Sequence, residues 1–155
     1  MLAQDLMTTP TITVHVNDPL NLAAQRMWEA DIGALPVVND EGQLTGMITD
    51  RDICMATYTQ GCAPGSLLVN CAMAHHPISA RPEQHVGEVE QLMSKYQVRR
   101  IPVVDAAGKP IGIISMNDLA IESVQPRTHL KHGPSKIAHT LAAVCQPRIE
   151  KRKAA

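Results

Sequence analysis

The chain carries one pattern twice, at a constant offset of 66 residues. Leu35-Pro36-Val37-Val38, Gly42, Gly46, Met47-Ile48-Thr49 and Asp52 reappear as Ile101-Pro102-Val103-Val104, Gly108, Gly112, Ile113-Ile114-Ser115 and Asp118. The register also holds upstream, where Met7 matches Met73, Ile12 matches Ile78 and Met27 matches Met93. A fixed period of this kind is one structural unit used twice, each half unable to bury its apolar face alone. The full 155 residues suffice for a sizeable core, whereas either half would be marginal. Two related halves facing each other predict a paired binding site in a cleft rather than a catalytic triad.

With 45% hydrophobic residues, 19% charged and a net charge of −1, the body of the chain reads as globular and not disordered. It has no Phe, one Trp and two Tyr, so the core must be aliphatic and Met-rich. A bound base would be held by Ile, Val, Leu and Pro. No apolar run reaches about 18 residues, which argues against a membrane span. Met1-Leu2-Ala3-Gln4-Asp5 lacks the charged and apolar regions of a signal peptide, so a cytoplasmic location is expected. Cys54, Cys62, Cys71 and Cys145 form no C-x-x-C pair and read as free thiols, with Cys54 and Cys71 expected in the core.

Within each copy the predicted order is strand, helix, strand, strand, helix. Asp18-Pro19 reads as a helix start with Asp as cap, and Leu20, Ala23, Ala24 and Met27 follow at helical spacing. Ala34 to Val38 is a short strand whose proline suits an edge or entry position. Leu44 to Thr49 returns as a hairpin, and Asp50 to about Tyr58 is a helix capped by Thr49 or Asp50. In the second copy Ile78-Ser79 is a short strand, Val86 to Tyr96 a helix, 101–105 and 111–115 a hairpin, and Met116 to about Val124 a helix. Thr57 to Ser66 links the copies, and Leu67 to Met73 is a short helix leading into the second. This divides the chain into residues 1–60, 67–124 and a basic tail, 125–155, with an amphipathic helix from Lys136 to Cys145. Ile137, Leu141 and Val144 fall on one side of that helix, which is expected to dock on the module or a partner.

Asp5-Leu6-Met7, Leu35-Pro36-Val37-Val38 and Gly46-Met47-Ile48-Thr49-Asp50-Arg51-Asp52-Ile53 resemble a CBS motif. Arg99-Arg100-Ile101-Pro102-Val103-Val104-Asp105 and Gly112-Ile113-Ile114-Ser115-Met116-Asn117-Asp118-Leu119 resemble a second. The pair is similar to a tandem CBS, or Bateman, module over about residues 1 to 122, of the stand-alone prokaryotic type. The resemblance implies an α+β, sandwich-like fold of two βαββα repeats packed about a pseudo-twofold axis. It also implies homodimerisation, and clefts that bind AMP, ADP, ATP or S-adenosylmethionine.

Thr49 and Asp52 stand three apart where a strand becomes a helix, as do Ser115 and Asp118. First-turn N–H groups there carry partial positive charge and attract an anion, with the hydroxyl as an added donor. The carboxylate, one turn on, can accept from a pair of ribose hydroxyls, and Arg51 can add charge-assisted bonds to a phosphate. The plainer reading is that Thr49 caps the helix and Asp52 favours its dipole. By resemblance these positions contact ribose and phosphate. In the second copy Asn117 replaces Arg51, and Arg99 and Arg100 either supply the missing charge or form a solvated pair. Two unequal sites are therefore expected. For the adenine, the matching positions are Ile12, Thr13, Ala34, Leu35 and Pro36 in copy one, and Ile78, Ser79, Arg100, Ile101 and Pro102 in copy two, or these are simple core packing.

Neither a nucleophile–base pair, a metal-ligand cluster nor a phosphate-cradling glycine loop is present in the sequence, so no enzyme, metal or resident cofactor is expected. Adjacent His75-His76 in an extended segment point apart and do not make a shared metal site. Trp28 covers the core or lies on a dimer face. The basic tail is a solvated end, a docking helix or a nucleic-acid contact; Lys151-Arg152-Lys153 is short, and no aromatics offer base stacking. The reading is a non-enzymatic regulatory module signalling to a partner in trans. The alternative is an assembly protein with empty or weakly binding clefts.

Overall fold

The computed structural model describes residues 1–124 and 134–145; the tail's Arg127, His129, Lys131, His132 and Arg148, with everything after Cys145, lie outside them. Described elements are α1 (Ala3–Leu6), β1 (Val14–His15), α2 (Leu20–Glu29), β2 (Ala34–Val38), β3 (Leu44–Thr49), α3 (Asp50–Gln60), β4 (Ala74–His75), α4 (Val86–Tyr96), β5 (Arg100–Val104), β6 (Pro110–Ser115), α5 (Met116–Val124) and α6 (Pro134–Cys145). The fold is mixed α+β, with β1-β2-β3-β4 in one sheet and β5-β6 in another. Among the described residues, no helix is long and apolar enough to cross a membrane.

Contacts divide the chain into two compact units. One holds Thr9–Ser79 and Val104–Gly112; the other holds Met1–Thr8, Ala80–Val103 and the described residues from Ile113 on. Each unit thus takes its leading segment from the other copy of the repeat. Thr8 bridges Ile113, and 66 residues on, Ala74 pairs with Met47. Leu2 bridges His85, and Leu68 bridges Pro19. The backbone bonds repeat in the same register: Ala3 N–H to Gln84 O at 2.8 Å matches Val69 N–H to Asp18 O at 2.9 Å. Gln4 N–H to Pro82 O matches Asn70 N–H to Val16 O, both at 3.0 Å.

The core of the first unit joins Val14, Leu20, Ala23, Met27, Leu35, Val37, Ile48 and Ile53 to Val69 and Met73. In the other unit, Val86, Val89, Met93, Ile101, Val103, Ile114 and Leu119 are buried, together with Ala3 and Leu6. Helical spacing supplies the helix residues and alternation those of β3 and β6, whereas β2 and β5 are buried almost continuously. Gly46 is where Met73 crosses β3. A Cβ there would sit 2.5 Å from the Met73 sulfur and 3.1 Å from the Ala74 carbonyl oxygen. Gly46→Ala should therefore lower stability by about 1–3 kcal/mol, read as a fall in urea midpoint at unchanged slope; an unchanged midpoint would contradict this packing.

Several local expectations are corrected. Asp18 does not cap α2, whose N-cap is Pro19. Its carboxylate instead accepts the His15 N–H at 2.8 Å, closing the preceding turn. Pro36 is not on an edge strand, since β2 lies between β1 and β3. It is tolerated because β1 pairs only with Val37 and Val38 and asks no N–H of Pro36. In copy two the strand at Ile78-Ser79 is reduced to one parallel bridge, Ala80 to Val103. Cys54 and Cys71 are exposed, not in the core. Trp28 is 87% exposed and covers no core. His76 has φ +52°, so the His75-His76 pair is not extended. The C-terminal helix α6 packs on α4 and α5. It buries Thr140 and Val144 but leaves Leu141 48% exposed.

Candidate functional site

The strand-to-helix turns are built alike in both copies. Thr49 is the N-cap of α3, with extended backbone. Its hydroxyl accepts the Asp52 N–H at 3.1 Å and donates to Asp52 Oδ2 at 2.7 Å, while the Thr49 N–H donates to the same oxygen at 2.9 Å. In copy two the Ser115 N–H and hydroxyl donate to Asp118 Oδ2 at 2.7 and 2.6 Å, and the Asp118 N–H returns to Ser115 Oγ at 3.3 Å. This is a reciprocal cap, and it satisfies otherwise orphaned donors. It engages only Oδ2 of each carboxylate. Oδ1 takes no part in these bonds, and both aspartates are half-buried as residues.

Chain topology gathers the remaining candidates of copy one into the same unit. Ala34 pairs with Thr49, Leu35 with Ile48 and Pro36 with Met47. Ile12 and Thr13 lead into β1, which runs beside β2. Leu35 belongs to the core, so only its backbone is available to a ligand, and the same holds for Ile101. Ile12 is 41% exposed, and Arg51 is exposed. Of the copy-two candidates, Arg99, Arg100, Ile101, Pro102, Ser115, Asn117 and Asp118 share the other unit, whereas Ile78 and Ser79 fall with the first. Pro102 is buried, Arg100 half-buried, and Arg99 and Asn117 exposed.

Free first-turn amides were expected at α3 and are not found. Asp50 N–H donates to Gly33 O at 3.3 Å. Arg51 N–H donates to Asp50 Oδ1 at 2.7 Å, and Asp52 N–H is taken by Thr49. Short polar side chains fill the orphan positions before any anion arrives. An anion at this turn must then be met by side chains, of which the Arg51 guanidinium is the cation at hand. Copy two keeps the first of these bonds, Met116 N–H to Arg99 O at 3.0 Å. Met116 has no carboxylate to close off the Asn117 N–H.

Arg26 escaped the sequence reading. Its Nη1 donates to the Thr13 carbonyl and lies 3.9 Å from Asp18 Oδ2. The signal was available: across the 66-residue offset, Arg26 faces Leu92 and Asp18 faces Gln84. Among the described residues no cluster of three or more His, Cys, Asp or Glu is placed to hold a metal ion.

The CBS domain family model matches residues 3–58 and 69–124. The CBS domain-containing protein YhcV of Bacillus subtilis is 38% identical over 121 residues, 78% of this chain and 84% of that protein. Hypoxic response protein 1 of Mycobacterium tuberculosis is 31% identical over 146 residues, 94% of each chain. The crystal structure of the CBS domain pair of protein MJ0100, in complex with 5'-methylthioadenosine and S-adenosyl-L-methionine, is similar with a TM-score of 0.69. It is 31% identical and covers 77% of this chain and 93% of that one.

Proposed function

The chain belongs to the CBS-domain family, and from that premise we propose that it is a non-enzymatic regulatory module. It binds an adenine-containing ligand (AMP, ADP, ATP or S-adenosylmethionine) at the strand-to-helix turns of its two copies. The bound state biases the conformation that a partner protein reads in trans, and the module works as a homodimer in the cytoplasm. What carries the reading is the duplicated Thr49–Asp52 and Ser115–Asp118 pair, the same to within a few tenths of an ångström. Each pair holds one carboxylate oxygen fixed and leaves the other for a vicinal diol. The likeness to a CBS pair crystallised with two adenosyl compounds supports it.

The roles follow from chemistry. Asp52 and Asp118 accept from ribose hydroxyls through Oδ1. Thr49 and Ser115 hold those carboxylates in place. Arg51 in copy one, and Arg99 or Arg100 in copy two, meet phosphate. Ile12, Thr13 and Ala34 to Pro36 offer apolar surface with backbone polar groups to the base in copy one, and Arg100 to Pro102 do so in copy two. In this reading the Thr49 and Ser115 hydroxyls are spent on the helix caps, and the ligand is bound and not turned over.

A ligand bound only by the folded state stabilises it by about 2.7 kcal/mol at a hundredfold excess over Kd. For a chain of this size that is a rise in Tm of roughly 5–10 °C. Thermal denaturation with AMP, ATP and S-adenosylmethionine should show such a rise with at least one of them, and none with ribose 5-phosphate at equal concentration. No shift with any adenine compound, together with no heat on calorimetric titration, would return the module to a purely assembling role.

A further inference from the structure

We infer that the outer face of α2 and α3 in copy one docks a second molecule of this chain, and that α6 withholds the matching face of copy two from the same contact. The inference rests on the homodimer of the reading above and names its surface. α2 and α3 both bury residues against Leu35, Val37 and Ile48. Those three share one face of the sheet, because Leu35 and Val37 are two apart on β2 and Ile48 pairs with Leu35. The outer sides of the two helices therefore point the same way. They carry Trp28, 87% exposed, and Tyr58, 80% exposed, the two most exposed large hydrophobic side chains of the described residues. Met55, one turn before Tyr58, and Ile32, just past the end of α2, are exposed as well. A clustered apolar surface of this kind marks an interaction site.

Copy two shows what becomes of such a face when the chain covers it. α6 packs on α4 and α5. On those helices Glu90 and Glu122 are buried where copy one has Ala24 and Ala56. Ser94 and Val124 stand at the positions of Trp28 and Tyr58, so the aromatics are missing where the chain supplies its own cover. The segments outside the described residues do not suit copy one: 125–133 has Leu130 as its one large aliphatic residue and 146–155 has Ile149, each among basic residues. A second molecule of the chain does suit it. Trp28 and Tyr58 stand beside small residues, Ala24 one turn before Trp28 and Ala56 two before Tyr58, so a partner related by a twofold axis can set its aromatics over the alanines. Trp, Tyr and Met are the residues that interface centres favour. Two aromatics of about 150–250 Å² each, with Met55 and Ile32, supply roughly half of the ~800 Å² per partner that a specific interface buries.

Sedimentation equilibrium of the full chain reads the contact. The wild type should be dimeric with no larger species, because one such face per chain is open. Trp28→Glu and Tyr58→Glu should each weaken the dimer about a hundredfold or more, the cost of losing an interface anchor. Both side chains stand in solvent in the single chain, so neither change threatens the fold. Met55→Glu should act the same way, while Ile121→Glu, at the matching position of copy two, should leave the dimer intact. Cys54, next to Met55, gives a second reading: in the wild type it should react with Ellman's reagent more slowly than the exposed Cys62 and Cys71, and Trp28→Glu should abolish that difference. A dimer unmoved by Trp28→Glu and Tyr58→Glu, or one lost with Ile121→Glu alone, overturns this surface and leaves the homodimer standing. Larger species in the wild type overturn the part given to α6. A wild-type chain that is monomeric at every concentration removes the homodimer and this inference with it, while nucleotide binding, measured on the same sample, is judged separately.

Discussion

Truncating Leu6 to Ala is expected to lower stability by about 2–5 kcal/mol, with the damage in the second copy of the repeat and not in the first. Leu6 is 1% exposed. It sits on α1, which packs on α4 and α5. The segment around it is tied to the same unit by Val86 N–H to Met1 O at 3.1 Å, and by reciprocal Thr8–Ile113 bonds at 2.9 and 3.1 Å. A residue near the start of copy one is therefore part of the core of copy two. Removing most of its side chain leaves a cavity that a helix pinned at both ends cannot close. Urea denaturation reads the total, and amide exchange locates it, because proteins open in cooperative units that share contacts. Amides of 86–119 should lose protection beyond any change at 20–60. Loss confined to 20–60 would mean that each leading segment packs with its own copy.

That exchange of segments was not legible in the repeat, for a physical reason. Met7-Thr8 and Met73-Ala74 lie at equivalent positions, and so do the hairpins they join. Pairing Thr8 with Ile113, or with Met47, satisfies the same backbone groups, so local chemistry is nearly degenerate between the two. Only the three-dimensional path chooses. What strict period encodes was legible: the hairpin strands, the helices they lead into, and the Thr49–Asp52 and Ser115–Asp118 pairs at their joints, whose spacing is that of a reciprocal cap. Less legible was everything a short polar side chain decides by choosing one neighbour over another. Asp18 bonds back to His15 where a cap was expected, and Asp50 takes the Arg51 N–H that an anion was to use.

The places where the copies differ carried more than was read from them. Glu90 and Glu122 are buried on α4 and α5, with Thr140 on the helix packed against both. Their counterparts in copy one are Ala24 and Ala56. Copy one has no such helix laid over α2 and α3 among the described residues, and small apolar residues suffice there. Arg26 against Leu92, and Asp18 against Gln84, form a second set of differences, again changed together. In a duplicated chain, matched positions report the fold, while coupled mismatches report what each copy does alone.

Replacing Asp118 by Ala should weaken adenine-nucleotide binding at copy two by about a hundredfold, while lowering stability by about 1 kcal/mol. The two effects separate because the proposed function gives the carboxylate a second job, on a different atom from the one that caps the helix. Oδ2 accepts from the Ser115 N–H and hydroxyl at 2.7 and 2.6 Å, and losing such a cap is worth about 0.5–2 kcal/mol. In the proposed function Oδ1 accepts from two ribose hydroxyls. Bonds to a charged group are worth about 1.5–3 kcal/mol each, so losing a pair amounts to roughly two orders of magnitude in Kd or more. A purely structural aspartate would show the first effect without the second. Asp118→Asn sharpens the distinction, because it retains an acceptor oxygen and the side-chain shape but not the charge, and should bind at an intermediate level with most of the stability kept. Calorimetry gives the affinity and urea midpoints the stability. Two variants that lose stability in that order, but bind AMP as the wild type does, would confine Asp118 to the helix cap and move the ribose elsewhere.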